Sequence, residues 1–126
     1  MKTILLVLLL CLSARAETQV RSLENNSDAP ARVSLGQTEV TTIDRYGSSV
    51  VRLELPQGDP NQDGAPYLEL KTRAGVTRLY DHEGKIFARI DERPPVAISS
   101  RSNEYLTLIV DEKGKVIVRR WEYWYR

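Results

Sequence analysis

The stretch Tyr105–Arg120, YLTLIVDEKGKVIVRR, decides the fold class. Two runs of aliphatic and β-branched residues flank Asp111-Glu112-Lys113-Gly114. In a D-x-x-G turn the aspartate accepts hydrogen bonds from its own loop. The glycine takes the positive φ that restarts pairing as a bulge. If Asp111 faces Lys115, Val110 pairs with Val116, Leu108 with Val118 and Leu106 with Arg120. One face then carries Leu106, Leu108, Val110, Val116 and Val118. The other carries Tyr105, Thr107, Ile109, Ile117, Arg119 and Trp121. Slipping the register by one residue mixes the two sets, so the pattern predicts a bulged antiparallel hairpin.

The same tetrapeptide recurs upstream as Asp81-His82-Glu83-Gly84 and Asp44-Arg45-Tyr46-Gly47. With Asp81 facing Lys85, the rule groups Val76, Tyr80, Ile86, Ala88 and Ile90 on one face, interrupted only by Arg78. Around Asp44 the apolar pattern is weaker. The likeness of YDHEGKIFAR to VDEKGKVIVR follows from similar hairpins obeying the same turn physics.

Helix signals are missing, because no long stretch repeats apolar residues at three- and four-residue spacing. Val, Ile, Thr and Tyr are plentiful instead. Strands are predicted over residues 33–43, 48–55, 66–72, 75–81, 85–91, 104–111 and 115–125. The fold class is therefore all-β: an antiparallel meander of about seven strands, forming a small barrel or a sandwich. The connection 92–103, with the stiff Pro94-Pro95, carries the chain across a barrel end or between sheets.

Residues 1–16 read as a cleaved signal peptide. Lys2 precedes the apolar run Ile4–Leu12, and Ala14-Arg15-Ala16 supplies the small residues that favour cleavage before Glu17. The run is shorter than the roughly 20 residues of a membrane-spanning helix, and none like it follows, so no transmembrane segment is expected in the mature chain. Leu8-Leu9-Leu10 before Cys11 is not the small-residue context that lipidation requires. Residues 17–32 are polar, aperiodic and contain Pro30, which predicts a flexible leader; residues 33–126 make up a single all-β domain. The expected location is secreted or periplasmic.

Cleavage removes Cys11, the one cysteine of the 126-residue chain, and with it any disulfide or thiol chemistry. Loss of Lys2 and Arg15 takes the formal charge from +1 to about −1. Such a balance points to neither nucleic acid nor an anionic membrane as partner. Arginine outnumbers lysine, and its planar fork suits contacts to carboxylates on an acidic partner. Asn25-Asn26-Ser27 matches a glycosylation acceptor.

Asp59-Pro60-Asn61-Gln62-Asp63-Gly64 matches the opening of calcium loops, with oxygen ligands from Asp59, Asn61 and Asp63. Continuing the loop count places Leu70 where a bidentate glutamate belongs, and flanking helices are missing. An EF-hand is thus excluded, leaving a calcium half-site in a β loop, completed by backbone carbonyls or by Glu69, or an ordinary turn. His82, the sole histidine, stands at a hairpin tip without a nucleophile turn of the G-x-S-x-G type. No cofactor other than calcium is suggested, and an enzyme is not expected.

The last residues, RRWEYWYR, alternate so that Trp121, Tyr123 and Tyr125 share one face while Trp124 lies on the other. A strand buried on one face must leave some of these exposed, and Trp, Tyr and Arg dominate binding hot spots. Arg119, Trp121, Tyr123, Trp124 and Tyr125 are therefore the candidate partner-binding residues. The expected function is a non-catalytic binding or inhibitory module engaging an extracytoplasmic protein or cell-wall component. A structural or assembly subunit pairing through an exposed strand edge, and a calcium-binding β-domain, are the alternatives.

Overall fold

The hairpin at Asp111 forms as its sequence dictates. In a computed structural model describing residues 18–99 and 105–120, Val110 pairs with Val116, Leu108 with Val118 and Leu106 with Arg120. Asp111 Oδ1 accepts the amides of Lys113 and Lys115, each at 2.9 Å, and Gly114 adopts a φ of 89°. Leu106, Leu108 and Val110 are buried, with Val116 and Val118 packed against them.

The strands are β1 (Gln19–Asn25), β2 (Ala31–Leu35), β3 (Thr38–Ile43), β4 (Ser48–Glu54) and β5 (Leu68–Thr72). They continue as β6 (Gly75–His82), β7 (Lys85–Ile90), β8 (Val96–Ser99), β9 (Tyr105–Val110) and β10 (Val116–Arg120). One sheet has the order β10-β9-β1-β4, the other β3-β2-β5-β6-β7-β8. The two bury Val20, Leu23, Val33, Leu68, Leu70, Leu79, Ile86 and Leu108 between them. All-β is thus correct and the layers form an open sandwich. The barrel alternative does not hold, because among the described residues β10, β4, β3 and β8 are sheet edges.

The flexible leader is a second correction. Residues 19–25 form β1, the strand joining β4 to β9, antiparallel to the first and parallel to the second. A bulge between Val20 and Ser22 explains why the sequence conceals it. The extra residue turns Val20 and Leu23 to the same buried face although they are three apart, which erases the two-residue alternation. β1 ends on Asn25, which is fully buried. Its Nδ2 donates to the carbonyls of Ala29, Ile43 and Asp44, while Oδ1 accepts the Ser27 amide and hydroxyl. A glycan on Asn25 is incompatible with this packing, so Asn25-Asn26-Ser27 serves the fold instead.

The strand count rises from about seven to ten for two further reasons. The predicted strand 33–43 is two strands, broken where Gly36 takes a φ of 59°. The connection 92–103 contains β8. The three D-x-x-G turns also diverge. At Asp44 the Gly47 amide donates to the Asp44 carbonyl at 2.9 Å, but the turn carries the chain from one sheet to the other. At the Asp81 tetrapeptide, Glu83 (φ 51°) and Gly84 (φ 78°) are both left-handed. Two successive left-handed residues make a two-residue turn, so His82 pairs with Lys85 and Asp81 with Ile86. The predicted grouping is therefore overturned: Leu79, Ile86 and Ala88 face the core, while Tyr80, Arg78 and Arg89 face outward.

Candidate functional site

That one-residue difference in register creates the site. On the outward face of the six-stranded sheet, Ser34, Glu69, Arg78 and Arg89 stand side by side on β2, β5, β6 and β7. Arg78 Nε donates to Glu69 Oε1 at 3.0 Å, and its guanidinium lies 4.2 Å over the Tyr67 ring. Tyr67 meets Tyr80 edge-on, with 6.2 Å between ring centres. Burial alone disfavours the Arg78 charge. The bond to Glu69 and the nearby Tyr67 and Glu69 outweigh it and hold the guanidinium above its ordinary pKa.

The connection between β4 and β5 arches over this face. Pro60 is buried, and Arg89 Nη2 donates to its carbonyl at 2.8 Å, tying the arch to β7. Asp59 Oδ1 accepts the Asn61 amide at 2.9 Å, the Asp59 carbonyl accepts the Gln62 amide, and Gly64 supplies a φ of 82°. Between arch and sheet lies an open groove of about 1280 Å³, with Glu69, Arg78, Tyr80 and Arg89 in its floor. Asp63, Asp91 and Glu92 stand exposed at its rim.

Asp59, Asn61 and Asp63, the candidate calcium ligands, thus belong to the arch. Asp59 binds its own loop, while Asn61 and Asp63 point into solvent as exposed residues. Among the described residues, no three His, Cys, Asp or Glu side chains cluster at metal-binding distance. Arg119 lies exposed on β10 opposite Thr107. On the same sheet Arg21 sits 4.3 Å over the Tyr105 ring. Trp121, Tyr123, Trp124 and Tyr125 lie outside the described residues.

Sequence reasoning missed Tyr67, Arg78, Tyr80 and Arg89, and considered Glu69 only as a residue completing a calcium half-site. One signal was present: Arg78 interrupted an otherwise apolar set, as an outward residue does when a face is misassigned. Glu69 between Leu68 and Leu70 was a second.

A separate acidic group lies inside the sandwich. The register turns Asp81 inward, where it is 3 % exposed. Its amide donates to the Pro56 carbonyl at 3.1 Å, and its carbonyl accepts the Gly58 amide at 3.0 Å. Burial raises the pKa of its carboxyl from the ordinary aspartate value, against a hydrogen bond from the Thr18 side chain and the nearby His82, which both lower it. This arrangement pins the start of β1 and the root of the arch to β6.

Comparison with known proteins returns no family. No family model, curated protein or solved structure matches the chain. The groove must be read from its own chemistry. No helix of the described residues is long and apolar enough to cross a membrane.

Proposed function

We propose that this chain is an exported, non-catalytic binding or inhibitory module that engages an extracytoplasmic protein or cell-wall component through the arched groove. The observation carrying this reading is the stacked Tyr67–Arg78–Glu69 unit in the floor of an open groove. Tyr and Arg supply large, rigid, multi-donor contact area, the composition of binding hot spots. Packing on Tyr67 and the bond to Glu69 hold Arg78 in place, so little side-chain entropy is lost when a partner docks.

Affinity capture from the native extracytoplasmic fraction tests this reading. The mature protein is compared with Lys71→Glu and Arg89→Glu variants that reverse charge in the groove. Enrichment of a component by the parent and its loss with both variants is expected. Equal recovery by all three proteins sinks the reading. N-terminal sequencing of the exported protein tests the location, with Glu17 the expected first residue.

A strand-edge assembly is the second reading, favoured by β8, an edge of the six-stranded sheet among the described residues. Val96 is 62 % exposed and Ile98 43 %, on an edge strand that presents apolar side chains to solvent. It requires a concentration-dependent oligomer that Val96→Lys abolishes. A parent protein that stays monomeric at high concentration by light scattering removes it.

A further inference from the structure

We infer that the groove recognises a protein segment carrying one carboxylate flanked by basic residues, the carboxylate docking between Arg78 and Arg89; this deepens the binding reading and rests on it. Arg78 and Arg89 occupy directly opposed positions on β6 and β7. Like charges so placed repel across a sheet. Glu69 engages Arg78 from the β5 side, and Arg89 spends one Nη on the Pro60 carbonyl. No carboxylate of the described residues forms an ion pair with Arg89 or Lys71. On the strand beyond, Arg32 lies opposite Lys71, a second like-charged pair without an acid partner among the described residues. A carboxylate entering from the open side accepts from two guanidinium groups and relieves this repulsion, the geometry arginine favours.

The charge pattern also selects the flanks. The floor is cationic but the rim carries Asp63, Asp91 and Glu92, all exposed. A uniformly acidic chain meets repulsion at that rim, whereas an acidic tip with basic flanks matches both zones. The aromatic groups separate a peptide from an acidic sugar chain. Tyr80 is 4 % exposed and offers no open ring face, and Arg78 already occupies one face of the half-buried Tyr67, which leaves little aromatic surface for a sugar to stack on. The buried Tyr80 ring, the prolines Pro60 and Pro66 in an otherwise polar arch, and the paired arginines match a polypeptide.

The test follows arginine side-chain and backbone NMR signals of the mature protein during titration. The probes are a twelve-residue peptide with a central glutamate between lysines, its Glu→Gln counterpart, an oligoglutamate and a hyaluronate oligosaccharide. Saturable shifts of the Arg78 and Arg89 Nε–H signals with the first peptide are expected. Affinity for the glutamine peptide and for oligoglutamate should be about tenfold lower or less, the loss of a charge-assisted contact. Arg89→Gln should abolish binding, Arg89→Lys should retain part of it, and Glu24→Gln on the opposite sheet should bind as the parent does. If Arg89→Gln fails to fold, Lys71→Gln must weaken binding in its place. Equal binding of the glutamine peptide, tighter binding of oligoglutamate or hyaluronate, or no shift with any probe overturns the inference. A partner captured through the groove but not displaced by the first peptide overturns the carboxylate assignment while leaving the binding reading intact.

Discussion

Asn25 joins three segments of the fold through one side chain. Its two amide hydrogens are shared among three carbonyls, while its oxygen accepts twice from Ser27. The side chain thereby ties the end of β1 to the loop before β2 and to the exit of β3. Asn25→Ala should leave buried carbonyls unpaired and cost about 3 kcal/mol, read as a fall in the urea midpoint at unchanged slope. A change below about 0.5 kcal/mol would show that water replaces the network. Asp81 is the opposite case, a buried acid whose folded pKa is raised. A raised carboxyl pKa means the unfolded chain releases its proton first as pH increases. The protonated group's contribution is present below the unfolded pKa and is lost as pH rises through the folded value. Asp81→Asn should keep an acceptor for Thr18, raise stability at neutral pH and flatten the stability profile between the two pKa values. Parallel melting curves of parent and variant across that pH range would refute the linkage.

At the scale of the element, two hairpins with one tetrapeptide signature adopt different turns. Gly114 is pressed against the β5–β6 turn, where a Cβ would approach the Ala74 nitrogen to 2.7 Å, and the bulge supplies the required positive φ. Glu83 has no such constraint of space, yet it holds a left-handed conformation at φ 51°. Asparagine tolerates that region better than glutamate, particularly before glycine. Glu83→Asn should therefore stabilise the hairpin by several tenths of a kcal/mol, seen as a rise in melting temperature of about 2–5 °C for a domain of this size. The lost contact is small, since Glu83 Oε1 lies 3.8 Å from His82 Nε2 and the Glu83 side chain is 83 % exposed. An unchanged or lower melting temperature would mean that the turn relaxes to a different type without Glu83.

For the whole molecule, β1 is the element on which the four-stranded sheet depends. Among the described residues it is the one strand between β4 and the β9–β10 hairpin, and it contributes Val20 and Leu23 to the core. A chain beginning at Asn26 should lose cooperative unfolding and near-ultraviolet circular dichroism, whereas one beginning at Glu17 retains both. A folded domain without β1 would mean that β4 and β9 pair directly.

Composition and local pattern by themselves determined the all-β class and the bulged turn and register of the β9–β10 hairpin. Those features are legible because they rest on short-range chemistry: side-chain alternation, an aspartate that caps its own loop and a glycine at positive φ. The tertiary structure decided the rest. β1 was hidden because its bulge breaks the alternation and its buried terminal residue, Asn25, is satisfied in part by the distant carbonyls of Ile43 and Asp44. The two-residue turn at Glu83-Gly84 shifted β6 by one position, turning Asp81 to the inner face of the sheet and Tyr80 to the outward face, where it is buried in the groove. The groove exists only because the arch from another sheet closes over Arg78 and Arg89 through a carbonyl at Pro60. Contacts between residues far apart in the chain carry no signature in either segment alone, so the site became visible only once the strands were in register.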